Sequence, residues 1–124
     1  MYRQILVDPN QRDLQQIVGR TCAEAPVKTY KLSSVTYEVV FASFLATRTL
    51  KALADEEIAD FPDVADVISN DIYMDDVLSG ESTLEGAKKL QTKISQLLLR
   101  GGFELHKWVY NSPEERFICT FLCV

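Results

Sequence analysis

Apolar positions change their period several times along this chain, and each change predicts an element. Met1-Tyr2-Arg3-Gln4-Ile5-Leu6-Val7 enters apolar pattern without a polar lead-in, so the chain reads as starting inside an element, and Asp8-Pro9-Asn10 predicts a turn. Leu14, Ile17 and Val18 lead to Gly19 and predict a strand over 14–20. A loop through Ala23-Glu24-Ala25-Pro26 follows. Val27, Tyr30 and Leu32 then alternate with Lys28 and Lys31, predicting the returning strand of a hairpin over 27–33. The apolar run from Val39 to Leu53 is too long for a strand. Phe41, Leu45, Thr47 or Arg48, and Ala52 mark helical spacing, so a mostly buried helix is expected over 38–54; the helix formers Ala42, Ala46, Leu50 and Ala54 agree. Asp55-Glu56-Glu57 reads as a solvated loop. Asp60-Phe61-Pro62 starts a second short helix, with Asp60 as its cap, Pro62 in its first turn, and Val64, Val67 and Ile68 as its apolar stripe.

The period drops to two at Asn70-Asp71-Ile72-Tyr73-Met74-Asp75-Asp76-Val77-Leu78-Ser79-Gly80, which reads as strand, turn, strand. Ile72 and Met74 fall on one face and Asp71 and Tyr73 on the other, with Asp75 and Asp76 at the hairpin tip. Ser82-Thr83-Leu84-Glu85 has the spacing of a capping box between Ser82 and Glu85. Leu84, Ala87, Leu90, Gln91, Ile94, Leu97 and Leu98 follow as the clearest amphipathic stripe, and Gly101-Gly102 ends it. Phe103 to Val109 alternates as a strand, and Asn111-Ser112-Pro113 breaks it. The apolar end, Phe117 to Val124, reads as a tail apart from the domain, placed at 114–124, and as an aggregation hazard if exposed. Residues 1–113 then form one α+β domain: an antiparallel sheet with helices packed on one face, of which the split βαβ (ferredoxin-like) arrangement is the nearest common form.

Bulk properties narrow the function. A chain of 124 residues can bury a real core, and 47% apolar with 25% charged residues is ordinary globular composition. A net charge of −5 argues against a free-standing nucleic-acid binder, which carries a basic face. No stretch approaches the ~20 apolar residues of a membrane span, and no secretory signal is visible. Cys22, Cys119 and Cys123 are odd in number and lack zinc spacing, so reduced thiols in a cytoplasmic protein are expected. His106 is the only histidine, which excludes most His-based metal and triad sites. The chemistry that remains is the acidic pair Asp75-Asp76. Acidic pairs usually cap turns or solvate a surface. Held on a rigid tip, they also offer hard oxygen ligands to a divalent cation and leave positions open for phosphates.

Tyr73-Met74-Asp75-Asp76 does not stand alone. With Met1-Tyr2-Arg3-Gln4-Ile5, Val35-Thr36-Tyr37, Phe44-Leu45-Ala46-Thr47-Arg48 and Gly101-Gly102-Phe103-Glu104-Leu105-His106-Lys107-Trp108, it resembles the palm of a retroelement reverse transcriptase, most closely the Bel/Pao class of long-terminal-repeat retrotransposons. The motifs run in family order over residues 1 to about 113. The resemblance implies RNA-directed DNA synthesis, with Mg²⁺ or Mn²⁺ as cofactor and template-primer and deoxynucleoside triphosphate as partners. In such palms two metal ions about 4 Å apart clamp the primer oxygen and the triphosphate. By the same resemblance Asp75 is the main metal ligand of this hairpin and Asp76 supports it. Tyr2 lies beneath the incoming sugar and Tyr37 meets the nucleotide and template. Tyr73 and Met74 complete the nucleotide-binding set, and Lys107 faces the leaving pyrophosphate. Read without the family, Tyr2 and Tyr37 are core-edge aromatics, Lys107 is an exposed strand residue, and Met74 is a packing residue.

The chain departs from the family in ways that matter. The family's other essential carboxylate stands five residues before the aromatic matched by Tyr2, a position not present in this sequence. A ligand shared by both metals is worth several kcal/mol of transition-state stabilisation. Glu38 replaces a Gly that lets backbone approach its ligand, Ser43 replaces a Pro, and His106 stands where a basic residue is usual. The fingers, thumb and RNase H domains that complete a polymerase are absent from these residues. The sequence therefore predicts a palm fragment, inactive by itself. A non-catalytic, retroelement-derived interaction domain is the alternative that the acidic charge and Glu38 favour.

Overall fold

Among the described residues, two separate antiparallel sheets and three α-helices organise the chain. The computed structural model describes residues 2–36, 39–73, 76–105, 107–110 and 117–122, with the backbone alone at 107, 110 and 117–122. Short 3-10 turns occupy Tyr2–Gln4 and Pro9–Leu14, the second capped by the Asp8 carboxylate, which accepts from the Asn10 amide at 2.8 Å. Strands β1 (Gln16–Gly19) and β2 (Lys28–Lys31) form the expected hairpin. Helices α1 (Ala42–Glu56) and α2 (Pro62–Asn70) follow. Then come β3 (Ile72–Tyr73), β4 (Asp76–Glu81), helix α3 (Leu84–Arg100), β5 (Lys107–Tyr110) and β6 (Phe117–Leu122).

The second sheet has the order β3-β4-β6-β5, with every neighbouring pair antiparallel. Because β6 runs against both β4 and β5, those two strands are parallel to each other, and α3 connects them. Here the structure corrects the reading of residues 117–124 as a tail apart. Phe117–Leu122 is an inner strand, paired with β4 on one side and β5 on the other. An apolar run without alternation suits a strand paired along both edges, which is also the position where it is no aggregation hazard.

The α1 helix buries a different stripe from the one its large residues mark. Ala42, Ala46, Leu50 and Ala54 are buried, while Phe41, Phe44 and Ala52 are exposed. Alanine at three of these four positions lets the helix axis come close to α2 and α3, both of which it meets. Pro62 opens α2 as expected, but the N-cap position is Phe61, without a side-chain cap bond; Asp60 instead accepts from Arg100 at 2.6 Å. Arg100 also pairs with Glu57, and its guanidinium lies 4.8 Å from the centre of the Phe61 ring. Hydrogen bonds to Asp60 and then Glu57 raise the Arg100 pKa further above its ordinary value. This exposed cluster ties the end of α3 to the α1–α2 turn.

The α3 stripe is the expected one: Ala87, Leu90, Ile94, Leu97 and Leu98 are buried. The cap is displaced by one residue from the Ser82–Glu85 box. Thr83 Oγ1 accepts from the Gly86 amide at 3.0 Å, and Glu85 pairs forward with Lys89 at 3.3 Å. We expect Thr83→Ala to cost about 1 kcal/mol and Ser82→Ala almost nothing, as read from urea midpoints. At the other end Phe103 N–H reaches Leu98 O at 2.9 Å and Gly102 N–H reaches Leu99 O at 3.0 Å. With Gly102 at φ 77° and Leu98 and Phe103 both buried, this is a Schellman stop.

Val77 and Ser79 of β4 are buried beneath α2 and α3, while Leu78 between them is exposed. The helices thus cover one face of β4. The core joins Val64, Ile68, Ile94, Leu97 and Leu98, with Ile72 and Trp108 packed against it.

Candidate functional site

The hairpin that carries the acidic motif is short and its register is defined. Ile72 pairs with Val77 and Tyr73 with Asp76; the Leu78 amide donates to Asp71 O at 2.9 Å. Asp76 is therefore the first residue of β4 and not a tip residue, because its backbone belongs to the ladders with both β3 and β6. Met74, Asp75 and Tyr37 lie outside the described residues. Directly opposed residues in an antiparallel ladder share a face of the sheet. Ile72 and Val77 take the helix-covered face, so Tyr73 and Asp76 fall on the other, and Tyr73 is 65% exposed there.

The same row continues across the sheet. Asp76 pairs with Leu122 of β6, and Leu122 pairs with Lys107 of β5. Tyr73, Asp76, Leu122 and Lys107 therefore occupy consecutive register positions on four neighbouring strands. Two strand spacings separate the Asp76 and Lys107 backbones, about 10 Å. Three of the sequence candidates are brought together in this way, from segments more than thirty positions apart. Leu122 is the member that the sequence reading missed. Its signal was the run Phe117-Ile118-Cys119-Thr120-Phe121-Leu122, rich in aromatic and β-branched residues and thus suited to an inner strand.

Tyr2 is placed elsewhere in the contacts that define it. Its ring is half-buried against the core, and its hydroxyl lies 3.3 Å from Ser43 Oγ in the first turn of α1. This bond joins the Tyr2–Gln4 turn to the start of α1.

Among the described residues, no three His, Cys, Asp or Glu side chains come together in a way that could hold a metal ion. Asp76 is the one described residue of the acidic pair. A cavity of about 460 Å³ opens between the start of α2, the end of β4 and α3. It shares no residue with the Tyr73–Lys107 row, and its cations are already paired: Lys93 with Asp63 at 2.9 Å and Lys89 with Glu85. No helix among the described residues is long and apolar enough to cross a membrane. No protein-family model, curated protein or solved structure matches the chain.

Proposed function

We propose that this chain is part of the palm of a reverse transcriptase of the Bel/Pao retroelement type. The observation that carries the reading is the cross-sheet row of Tyr73, Asp76 and Lys107, on the face of the sheet opposite Val77 and its covering helices. A palm needs this separation: helices support one face and the reacting groups stand on the other. The parallel pair β4 and β5, joined through α3 with β6 inserted between them, supports the split βαβ part of the reading. In this reading Asp75 and Asp76 hold Mg²⁺ or Mn²⁺, Tyr73, Met74, Tyr2 and Tyr37 contact nucleotide, and Lys107 approaches the pyrophosphate side. When bound, the metal supplies charge stabilisation for the phosphates. Template-primer and deoxynucleoside triphosphate are the corresponding partners.

The carboxylate that completes such a metal site is not among the 124 residues. Primer extension by these residues alone is therefore expected to be undetectable, and synthesis that Asp75→Asn abolished would overturn that expectation. Metal binding tests the site itself. Calorimetric titration with Mn²⁺ is expected to show weak binding that the Asp75→Asn, Asp76→Asn double variant weakens at least about tenfold, since two carboxylates are hard oxygen ligands. Equal heats from both proteins would sink the metal assignment. The net charge of −5 favours a second reading, a non-catalytic interaction domain of retroelement origin, which that result would leave in place.

A further inference from the structure

The β1–β2 hairpin is a sheet of two strands with every residue but Gly19 exposed. Two-stranded sheets are marginal in water unless another surface completes them. Its two edges are not alike. The Leu32 amide donates to Gln15 O at 2.9 Å, so Gln15 and Leu32 form a hydrogen-bonded pair. By alternation Ile17 and Gly19 face β2, whereas the N–H and C=O groups of Gln16 and Val18 point away from it. On β2 the outward groups belong to Thr29 and Lys31.

The β2 edge is guarded. Lys28 and Lys31 place charge along it, Lys31 pairs with Asp13, and beyond the strand the same edge is taken up by the Leu6–Ser34 bridge. The β1 edge carries none of these devices. Gln16-Ile17-Val18-Gly19 has no charge and no Pro, and among the described residues no strand pairs with its outer side. The charges that flank it are engaged within the chain, Asp13 with Lys31 and Arg20 with Ala23 O at 2.8 Å. Two copies of this uncharged strand therefore meet without opposing like charges, whereas two β2 edges would set Lys28 and Lys31 against the same lysines of the second copy.

We propose that this edge pairs with the β1 edge of a second copy of this chain, making a dimer with a continuous sheet ordered β2-β1-β1-β2. Outward residues must oppose outward residues, and only the register that sets Gln16 of one copy against Val18 of the other pairs both outward residues of each strand, with the twofold axis between the two Ile17 residues. That register forms four backbone hydrogen bonds. It also aligns Tyr30, Ile17, the second Ile17 and the second Tyr30 in one row on one face. Ile17 is 52% exposed and Tyr30 44% exposed in the single chain, so the row has apolar surface to cover.

Sedimentation velocity over a concentration series tests this on the full chain. The parent is expected to pass from monomer to dimer as concentration rises. Val18→Pro removes an outward N–H while leaving the β1–β2 bonds in place, because a Pro is tolerated where its missing N–H faces solvent. It is expected to weaken dimerisation at least about tenfold. Thr29→Pro removes the equivalent outward N–H on β2 and is expected to leave the dimer unchanged. A third variant does not depend on Pro being accommodated. Ile17→Cys, in a Cys22→Ser background, sets the two new thiols in a non-hydrogen-bonded pair and is expected to crosslink as a dimer on mild oxidation, while the Cys22→Ser parent does not. A parent that stays monomeric throughout, equal effects of the two Pro variants, or no crosslink beyond the Cys22→Ser parent would each overturn the proposal.

Discussion

Leu97→Ala is expected to lower the unfolding free energy by about 3 kcal/mol, and Leu99→Ala to change it by less than about 0.5 kcal/mol. The sequence offers three identical neighbours, Leu97-Leu98-Leu99, in the last turns of α3. Leu97 is fully buried and Leu98 nearly so, where α3 packs against α1, α2 and the sheet; Leu99 is 63% exposed. Truncating Leu97 loses the transfer free energy of its methyl and methylene groups and leaves a cavity that the close-packed core, to which Ile68 and Ile94 also belong, fills only in part. A domain of this size has roughly 5–15 kcal/mol in total, so the loss is a large share of it. Urea unfolding followed by circular dichroism reads the difference, with the midpoint moving and the slope unchanged. Equal midpoints for the two variants would mean that α3 does not present this face to the core.

Ala46→Leu is expected to destabilise by about 2 kcal/mol, although it adds a helix-compatible apolar residue. Phe44→Ala, which removes a large apolar side chain two residues away, is expected to stay within about 0.5 kcal/mol. The inversion follows from packing. Ala46 has no exposed surface and sits in the line of Ala42, Leu50 and Ala54 that faces the rest of the core. Three further carbons there must displace neighbouring side chains or lift the helix away. Phe44 is 69% exposed on the opposite side and fills no cavity. Thermal unfolding of both variants against the parent decides the matter; a larger loss for Phe44→Ala would restore the helix face marked by Phe41 and Leu45.

The candidate site divides along similar lines. That Tyr73 and Asp76 belong to adjacent strands could be read from Ile72, Tyr73, Val77 and Leu78, because a hairpin needs only local alternation around a turn. That Asp76 and Lys107 occupy one row could not, because their register runs through Leu122, on a strand that β4 and β5 must both accept. The position of Asp76 at the start of β4, and of Thr83 in place of Ser82 as the α3 cap, are shifts of one residue. Such shifts are decided by how the flanking strand and helix pack, not by the spacing of the motif.

Local pattern determined the order and type of the α-helices and strands up to Val109, a hairpin, two helices, a hairpin, a long helix and a strand, but not the 3-10 turns at Tyr2–Gln4 and Pro9–Leu14 or the extension of α1 through Asp55 and Glu56. Period two or 3.6 and the stop at Gly101-Gly102 act over a few residues, so they survive without any knowledge of the rest of the chain. Tertiary structure alone decided three further things. It placed Phe117–Leu122 inside the sheet, buried Ala42, Ala46, Leu50 and Ala54 of α1 while leaving Phe41 and Phe44 exposed, and, among the described residues, gave the outer side of β1 no partner strand. Each depends on pairing or packing between segments far apart in sequence. The free energy of those contacts belongs to both partners together, so neither segment alone encodes it.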